Sequence, residues 1–526
     1  MTELPHSAGI LPAGLTTADF ARALADFAAA IGEEHTHTDA ETLAEYGDPY
    51  RPAGTGTRAS AVLLPGSVAE VQAVVRLANR YRIPLWTVSQ GRNFGYGGGS
   101  PRVPGSVIVS LRRMDRVLEV NEDLAYAVVE PGVSFEKLYE TLRAGNHRLT
   151  VSVPDIGWGS IIGNTLDHGY GFTWYGDHAE RACGMEVVLP DGDLLRTGMG
   201  ALTGGHAWHV HRRGFGPAAE SLFMQSNFGI VTRMGVWLMP TPECYAPCFL
   251  KVPADSDLER LVGIVRGLLL DRTIQNIPLL ADGLMLASAV ARRDRWWPGP
   301  GPVPDDVITR ILDELGLGRW NVRFALYGSE HIVDAQLSTI REAVSGIPGA
   351  ELIAAEHSGD AAPADIPVPD HVQAGIPNRE MLGALNWRGG RAGNLNFSPV
   401  APLSGTHIRR LIDLLRPVMH DAGFDCLSAV MLTPRSGIAI FGLVYDSDDH
   451  DQVERAFAAC REMVETAGRH GYGEYRSHLD VMDHVSGRFD FNDHAQRRFN
   501  QKIKDALDPH GILSPGKQGI WPGRTP

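Results

Sequence analysis

Ser89–Gly99 reads SQGRNFGYGGG and follows directly on the apolar run Pro84–Val88, which predicts a β-strand. Five of these eleven residues are glycine. A glycine loop after a strand exposes backbone N–H groups that can form a nest around a diphosphate. A hairpin-like turn would use the same residue types, so both interpretations stay open for this segment alone. No Gly-Lys-Ser/Thr follows it, and its glycine spacing is not that of a Rossmann dinucleotide motif.

The chain on both sides of this loop alternates predicted strands and helices. Leu15–Ile31 has apolar residues every three or four positions behind a threonine cap, and Val68–Tyr81 follows a Pro-Gly-Ser turn, so both are predicted helices. The predicted strands are Ser60–Leu64, Pro84–Val88, Ser106–Leu111 and Tyr126–Val129. This alternation indicates an α/β arrangement at the start of the chain.

A proline cluster at Pro240, Pro242 and Pro247 ends the glycine-rich part of the chain, and long helical patterns follow it. The predicted helices are Asp257–Leu270, Pro304–Leu315, Asp334–Ser345, Gly405–Ala422 and Asp451–Ala467, and the predicted strands are Asn321–Tyr327 and Ile438–Val444. The end of the chain is predicted to return to glycine-rich loops. We therefore predict a ligand-binding domain over 1–240, an inserted cap over 241–468 and a C-terminal return over 469–526.

Length and composition exclude several classes of protein. The chain has 526 residues, too long for one simple module, and its formal charge of −14 disfavours binding to nucleic acid. Hydrophobic residues make up 44% and charged residues 21%, which is typical of a folded globular enzyme. The five cysteines do not indicate a disulfide framework, and Cys244 and Cys248 lack the second pair that a zinc site needs, so no metal is predicted. No signal peptide and no apolar run of membrane-spanning length is seen, so we expect a cytoplasmic protein that does not bind a membrane.

Three further segments carry residues that could bind or react with a ligand, and each has an ordinary structural alternative. Asp155, close to Trp158, could be a partly desolvated carboxylate that transfers protons, or it could cap a turn. The backbone at Gly229–Val231 could lie close to a ligand ring, or it could be a strand with a bulge. Tyr475 and Arg476 could together bind an anion, or they could be a packed tyrosine and a surface arginine.

Taken together, these segments resemble one flavoprotein family. SQGRNFGY, PDIGWGSIIGN, YGDH, QSNFGIVT, EYRSHLDVMD and DPHGILSPGKQGIWP, spread over nearly the whole chain, are similar to motifs of the vanillyl-alcohol oxidase/p-cresol methylhydroxylase family, in its 4-phenol-oxidising branch. The resemblance implies an α+β fold, in which a two-subdomain FAD-binding domain carries an inserted cap built on an antiparallel sheet flanked by helices.

The resemblance also implies FAD as the cofactor and a set of residues around it. These are Ser89, Gly91, Arg92, Asn93, Phe94, Gly95, Pro154, Asp155, Gly159, Ser160, Gly163, Asn164, Gly171, Tyr175, Gly176, Glu186, Gly229, Ile230, Val231, Asn394, Arg476 and Lys517.

The implied substrate is a para-substituted phenol, such as a 4-hydroxybenzyl alcohol or a 4-alkyl or 4-allyl phenol. The family binds it as the phenolate with groups that match Tyr96, Tyr475 and Arg476. Ionisation of the phenol pushes electrons towards the para carbon, so that hydride can leave the α-carbon and give a p-quinone methide. Asp155 matches the family carboxylate that handles the proton of water or alcohol. Tyr170, Ala429 and Met431 match positions of the substrate pocket, where they differ from the residues common in relatives.

One position departs from the family pattern. Covalent members attach the flavin through a His or Tyr just before a Phe-Ser/Ala-Pro segment, and here that segment, GNLNFSPVAP, places Asn394 at the attachment position. An amide nitrogen is not a nucleophile of that kind, so the resemblance implies FAD that is bound without a covalent bond.

Three activities remain open from the sequence. The first is an oxidase that passes electrons from reduced FAD to O2 and yields H2O2. The second is a dehydrogenase or hydroxylase that passes them to a cytochrome; the lack of an export signal favours the oxidase. The third is a flavin-binding protein without turnover, which the retained set of Tyr96, Asp155, Tyr475 and Arg476 disfavours. A sugar or hydroxy-acid oxidase of the same fold is disfavoured, because those relatives lack the phenolate-binding set that Tyr96, Tyr475 and Arg476 match. A homodimer or larger homo-oligomer is expected from the resemblance alone.

Overall fold

A small, mostly parallel sheet forms the first layer of the protein. The computed structural model describes residues 10–51 and 58–523. The sheet has the order β1-β2-β4-β3, in which β2, β4 and β3 run parallel. Its strands are β1 (Thr36–His37), β2 (Ala59–Leu63), β3 (Leu85–Val88) and β4 (Ser106–Ser110), and helices α1 (Thr17–Ile31), α2 (Ala40–Glu45) and α3 (Val68–Tyr81) accompany it. The predicted α/β arrangement is confirmed, and Thr16 and Ser67 accept the capping hydrogen bonds that start α1 and α3.

An antiparallel five-stranded sheet, of order β5-β6-β10-β8-β9, forms the second subdomain, and a short β7–β11 pair lies beside it. The strands are β5 (Val117–Asn121), β6 (Tyr126–Val129), β7 (Leu149–Thr150), β8 (Ala182–Val188), β9 (Leu194–Arg196), β10 (Ile230–Trp237) and β11 (Met239–Pro240). The helices are α4 (Phe135–Ala144), α5 (Ile161–Leu166) and α6 (His178–Arg181). The register of β10 against β8 shifts after Val231 and again after Met234, so the strand with a bulge, left open by the sequence, is present there.

A nine-stranded antiparallel sheet follows, with the order β15-β12-β14-β13-β19-β20-β17, while β16 pairs with β12 and β18 with β20. Its strands are β12 (Cys244–Val252), β13 (Leu279–Asp282), β14 (Trp320–Gly328), β15 (Glu351–Ala354), β16 (His357–Ser358), β17 (Ala392–Phe397), β18 (Val400–Pro402), β19 (Leu427–Leu432) and β20 (Ser436–Asp446). The helices are α7 (Leu258–Leu270), α8 (Gly283–Val290), α9 (Asp305–Leu315), α10 (Glu330–Val344), α11 (Gly405–Asp421) and α12 (His450–Arg469). This sheet is the antiparallel platform that the resemblance implied.

The two faces of this large sheet serve different purposes, because successive side chains of a strand point to opposite faces. On β19, Val430 and Leu432 belong to the main core with residues of α7, α10, α11 and α12, and we call this side the helix face. Ala429 and Met431 point the other way, into the core shared with the second subdomain, and we call that side the site face. Any side chains of the large sheet that contact a ligand between the sheet and the second subdomain therefore lie on the site face.

The end of the chain contradicts the sequence prediction of glycine-rich loops. Two helices, α13 (Met482–Arg488) and α14 (Phe491–Leu507), occupy it, and Asn492, Asp493 and His494 at the start of α14 have left-handed backbone angles. After α14 the chain returns to the first sheet, where the Leu85 amide donates to the Ile512 carbonyl and the Ser514 amide donates to the Leu85 carbonyl. The last segment thereby extends the sheet beside β3.

Three chemical features of the described residues bear on function. None of the helices is long and apolar enough to cross a membrane. All five cysteines are buried and free. Within residues 10–51 and 58–523, no group of three or more His, Cys, Asp or Glu side chains could hold a metal ion.

Candidate active site

A cavity of about 420 Å³ lies between the first two sheets and the site face of the large sheet. Much of the glycine-rich sequence lines it. The lining includes these predicted cofactor residues: Ser89, Gly91, Arg92, Asn93, Phe94, Pro154, Asp155, Gly159, Ser160, Gly163, Asn164, Gly229, Ile230, Val231, Asn394, Arg476 and Lys517. The structure thus brings together segments that lie several hundred residues apart in sequence, and we call this space the cofactor cavity.

Two glycines show why the cavity wall needs residues without side chains. A Cβ at Gly163 would lie 2.5 Å from the Ser89 hydroxyl, so a larger residue would push the glycine loop away from the start of α5. Gly91 has φ +72°, a left-handed conformation that L side chains rarely adopt. Both observations explain the glycine content of the wall by backbone geometry rather than by chain flexibility.

The polar groups around the cavity fit a bound FAD. Asn227 donates from its amide to the carbonyls of Ser514 and Ile520, but its buried Oδ1 has no partner within residues 10–51 and 58–523. The buried hydroxyl of Thr87 also lacks a partner in these ranges, and both residues line the cavity. Buried polar groups are normally hydrogen-bonded, so these free atoms indicate a polar ligand. Lys517 supplies a positive charge to the same wall, as a diphosphate requires.

Tyr96, Tyr475 and Arg476 lie close together beside this cavity, and we call them the anion site. The Arg476 guanidinium stacks over the Tyr96 ring with 4.4 Å from Cζ to the ring centroid, and its Nη2 donates to Asn93 Oδ1 at 3.2 Å. Its Nε has no hydrogen-bond partner in the described part of the chain. Burial disfavours the charged guanidinium, yet the two tyrosines and the nearby Asp167 carboxylate raise the pKa of Arg476. Arg476 therefore stays charged and keeps a donor for a ligand.

The phenols next to Arg476 stay neutral. Burial raises the pKa of Tyr96, and burial together with the neighbouring Tyr96 raises the pKa of Tyr475, although Arg476 opposes both shifts. The Tyr475 backbone is fixed by Gln225, whose amide donates to its carbonyl at 2.6 Å. Two neutral hydroxyls and one guanidinium in one place form a preorganised site for an anionic oxygen.

A second cavity of about 640 Å³ meets the first at Arg476 and Gln225. Tyr170 and Tyr475 both line it, with ring centroids 6.2 Å apart in an edge-to-face arrangement. Of the three predicted pocket residues, Tyr170 therefore borders this space directly. Ala429 and Met431 are buried on β19 and line neither cavity, although their cross-strand partners Ile440 and Ile438 do.

Asp155 has a partner that the sequence did not indicate. Arg323 on β14 donates from Nη2 to Asp155 Oδ1 at 2.5 Å, and its guanidinium lies 4.6 Å from the Phe172 ring centroid. Trp158, which the sequence suggested as the neighbour that tunes Asp155, instead lies under the guanidinium groups of Arg92 and Arg379. The ion pair with the large sheet, rather than an apolar wall, therefore orients the carboxylate at the cavity.

Asn394 lies on the site face of β17, where its amide faces the glycine loop. It is 5% exposed, and a Cβ placed on Gly95 would come within 2.8 Å of its Nδ2. Asn396, two residues further along the same face, borders the cavity with it. Position 394 thus lines the cofactor cavity; its match to the attachment position of the family stays a prediction.

Five predicted cofactor residues lie outside the lining of the cavity, and each has a structural contact. Glu186 on β8 pairs with Arg196 at 2.8 Å and is 2% exposed. The Gly171 amide donates to the Gly176 carbonyl, which closes the turn between them. Tyr175 stacks with Arg181, and Gly95 packs against the amides of Asn394 and Asn396. Direct contact of these five residues with a cofactor remains a prediction.

Sequence reasoning missed four residues around the site: Arg323, Asn396, Ser398 and Glu474. The Ser398 hydroxyl lies 3.4 Å from the Tyr96 hydroxyl, and Glu474 lines the second cavity. Arg323 had a usable signal, since it is the one charged residue in the apolar strand sequence WNVRFALY. An isolated charge in a buried strand usually has a partner. The other three carry no local signal that separates them from ordinary strand and loop residues.

The comparisons with known proteins identify FAD-linked relatives of this chain. The model of an FAD binding domain matches residues 59–198, and that of the C-terminal domain of FAD linked oxidases matches residues 372–518. The structure of a 4-ethylphenol oxidase from Gulosibacter chungangensis in complex with isoeugenol is 40% identical, with a TM-score of 0.94 over 98% of this chain and 100% of that chain. The structure of p-cresol methylhydroxylase with substrate bound is 32% identical, with a TM-score of 0.92 over 98% of this chain and 99% of that chain. The flavoprotein subunit of 4-cresol dehydrogenase (hydroxylating) from Pseudomonas putida is 34% identical over 97% of this chain and 98% of its own length.

The fold and the cavity define an FAD-linked oxidoreductase. More narrowly, the chain belongs to the vanillyl-alcohol oxidase/p-cresol methylhydroxylase family of flavoproteins.

Proposed function

We propose that the protein oxidises para-substituted phenols, such as 4-alkylphenols, 4-allylphenols like eugenol, and 4-hydroxybenzyl alcohols like vanillyl alcohol. The observation that carries the proposal is the anion site. Arg476 has an Nε without a partner among the described residues, stacks on Tyr96 and adjoins Tyr475. Among the described residues, Arg476 forms no ion pair, so its charge is available to a ligand oxygen. The 4-ethylphenol oxidase and the p-cresol enzymes at 32% to 40% identity support a phenol as that ligand.

The residues of this site favour the ionised substrate. A phenol in water has a pKa of about 10, and a guanidinium with two neutral hydroxyl donors stabilises its phenolate. Since Tyr96 and Tyr475 resist ionisation, the substrate is the phenol that loses its proton. The negative charge is delocalised to the para carbon, which weakens the C–H bond at the attached α-carbon towards loss of hydride.

Asp155 serves the second half of the reaction. Loss of hydride from the phenolate leaves a neutral p-quinone methide, and FAD, when bound, supplies the hydride acceptor at N5. Water adds to the α-carbon and Asp155 accepts its proton, so an alkylphenol with O2 and H2O gives a benzylic alcohol and H2O2. A 4-hydroxybenzyl alcohol gives the aldehyde by loss of its O–H proton. Arg323 holds the Asp155 carboxylate in place for this transfer.

We propose O2 as the electron acceptor. The oxidase from Gulosibacter chungangensis, at 40% identity, supports this choice over a protein acceptor. The 34% identical dehydrogenase subunit favours the second candidate, a 4-alkylphenol dehydrogenase that uses a cytochrome or another acceptor. We further propose that FAD is held without a covalent bond, because Asn394 lines the cofactor cavity and, by the motif resemblance, occupies the position at which covalent family members carry a His or Tyr. A homodimer or larger homo-oligomer is proposed from the family membership.

The experiment that tests the activity is anaerobic addition of 4-hydroxybenzyl alcohol to the FAD-loaded protein, followed at the oxidised-flavin absorbance band. We expect rapid bleaching and rapid return of the colour when air is admitted. Bleaching with slow return of colour would favour the dehydrogenase. If neither 4-hydroxybenzyl alcohol nor 4-ethylphenol bleaches the flavin, the protein is not a phenol-oxidising enzyme.

A further inference from the structure

A buried carboxyl group, that of Glu474, lies next to the anion site. Glu474 immediately precedes Tyr475 and is 6% exposed. Its backbone bridges Pro399 in an antiparallel manner, in the short connection between β17 and β18. On either side of the bridge the Val400 amide donates to the Gly473 carbonyl at 2.9 Å, and the Tyr475 amide donates to the Ser398 carbonyl at 3.3 Å. Glu474 therefore lies where the large sheet meets the segment that carries Tyr475 and Arg476.

The side chain of Glu474 strengthens this crossing and connects it to Tyr96. Its Oε1 accepts a hydrogen bond from the Ser398 amide at 3.2 Å. The hydroxyl of Ser398 lies 3.4 Å from the hydroxyl of Tyr96. One carboxyl group thus fixes Ser398, whose hydroxyl contacts the phenol of Tyr96 and whose backbone carbonyl accepts from the backbone amide of Tyr475.

The surroundings of Glu474 do not support a negative charge. Its buried Oε2 has no hydrogen-bond partner among the described residues, and the residue lines the second cavity. Burial raises the pKa of Glu474 well above its ordinary value, and the single hydrogen bond from the Ser398 amide opposes this only weakly. No arginine or lysine of the described chain pairs with it, so an ionised form would be an uncompensated buried charge.

We propose that Glu474 is a positioning residue that acts as a neutral carboxylic acid, holding Ser398 against Tyr96 without adding negative charge to the anion site. This inference rests on the proposed phenolate binding. If Glu474 were ionised, its charge would raise the pKa of Tyr96 further. It would also weaken the electrostatic attraction between Arg476 and a bound phenolate. A neutral acid still accepts the hydrogen bond from the Ser398 amide. It does not reduce the attraction of Arg476 for the substrate phenolate.

The first test compares two substitutions of Glu474 in the FAD-loaded protein. Glu474→Gln keeps a neutral carbonyl for the Ser398 amide, whereas Glu474→Leu leaves this buried amide without an acceptor. The probe is 4-hydroxybenzaldehyde, whose phenolate and phenol absorb at different wavelengths. We expect Glu474→Gln to bind the phenolate within about threefold of wild type, and Glu474→Leu to bind roughly tenfold more weakly, as expected for one unsatisfied buried donor. Glu220→Gln is the control, because Glu220 is also buried but lines neither cavity.

The second test observes the protonation state directly. The infrared difference spectrum between wild type and Glu474→Gln at neutral pH is expected to contain the C=O stretch of a protonated carboxyl group. A pair of carboxylate bands in its place, or phenolate binding lost as strongly in Glu474→Gln as in Glu474→Leu, would overturn the inference. If Glu474→Leu does not fold, the glutamine variant and the infrared spectrum decide. If wild type shows the protonated band but binds no phenolate, the proposed function fails while the neutral state of Glu474 stands.

Discussion

Arg476→Ala is expected to lower kcat/KM for 4-ethylphenol by roughly a hundredfold to a thousandfold, the usual effect of removing one preorganised donor from an oxyanion site. The loss should be this large because Arg476 brings a positive charge onto the Tyr96 ring, and its Nε has no partner among the described residues. The measurement is the rate of anaerobic flavin reduction over a range of phenol concentrations in stopped flow.

Two controls make this result specific. Arg476→Lys keeps the charge but cannot reproduce the planar, forked donor, so its loss should be intermediate. Arg379→Ala removes an exposed arginine that stacks on Trp158, pairs with Glu136 and lines neither cavity, and it should keep nearly full activity. Near-wild-type reduction in Arg476→Ala would reject phenolate binding at this site.

The second large effect concerns the attachment of the cofactor. Acid precipitation of the wild-type protein is expected to release essentially all of its flavin into the supernatant, since an amide at position 394 cannot form the bond that an imidazole or a phenolate forms. In Asn394→His, a fraction of the flavin is expected to stay with the precipitate, because the buried side chain points into the cofactor cavity. Absorbance of the two fractions measures the split.

Asn396→His is the matched control for this variant. Asn396 lies two residues along the same strand, on the same face and in the same cavity wall, but not at the attachment position. Its flavin should dissolve in acid as in wild type. A wild-type precipitate that keeps its yellow colour would contradict the proposed non-covalent attachment, and equal retention in both histidine variants would show that position 394 has no special geometry.

Elements with complete local signals were predictable from the sequence. Val68–Tyr81 has the bounds predicted for it, because Ser67 caps it and its apolar residues repeat with helical spacing. The helix predicted over 334–345 begins one turn earlier, at Glu330 behind Ser329, because the buried Val333 already belongs to its apolar face with Leu337 and Ile340. The two C-terminal helices were missed because α14 starts with three left-handed residues and carries mostly polar side chains.

The site was predictable where it depends on motifs and not where it depends on long-range packing. Tyr96 and Arg476 are 380 residues apart in sequence, yet motif resemblance alone brought them together. The Asp155–Arg323 ion pair joins the segment before α5 to the large sheet and follows from the register of β14 against its neighbours, which no local pattern contains. The same holds for the connection between Glu474 and Ser398, because only the folded crossing of two segments places that carboxyl group beside the amide.

The central claim is that the substrate reacts as a phenolate, and the most direct measurement compares a phenol with its methyl ether. The FAD-loaded protein is mixed anaerobically with 4-ethylphenol or with 4-ethylanisole, and the oxidised-flavin band is followed. We expect 4-ethylphenol to bleach the flavin rapidly and 4-ethylanisole, which cannot ionise, to leave it oxidised. Comparable bleaching by the methyl ether would contradict both the phenolate and the quinone methide.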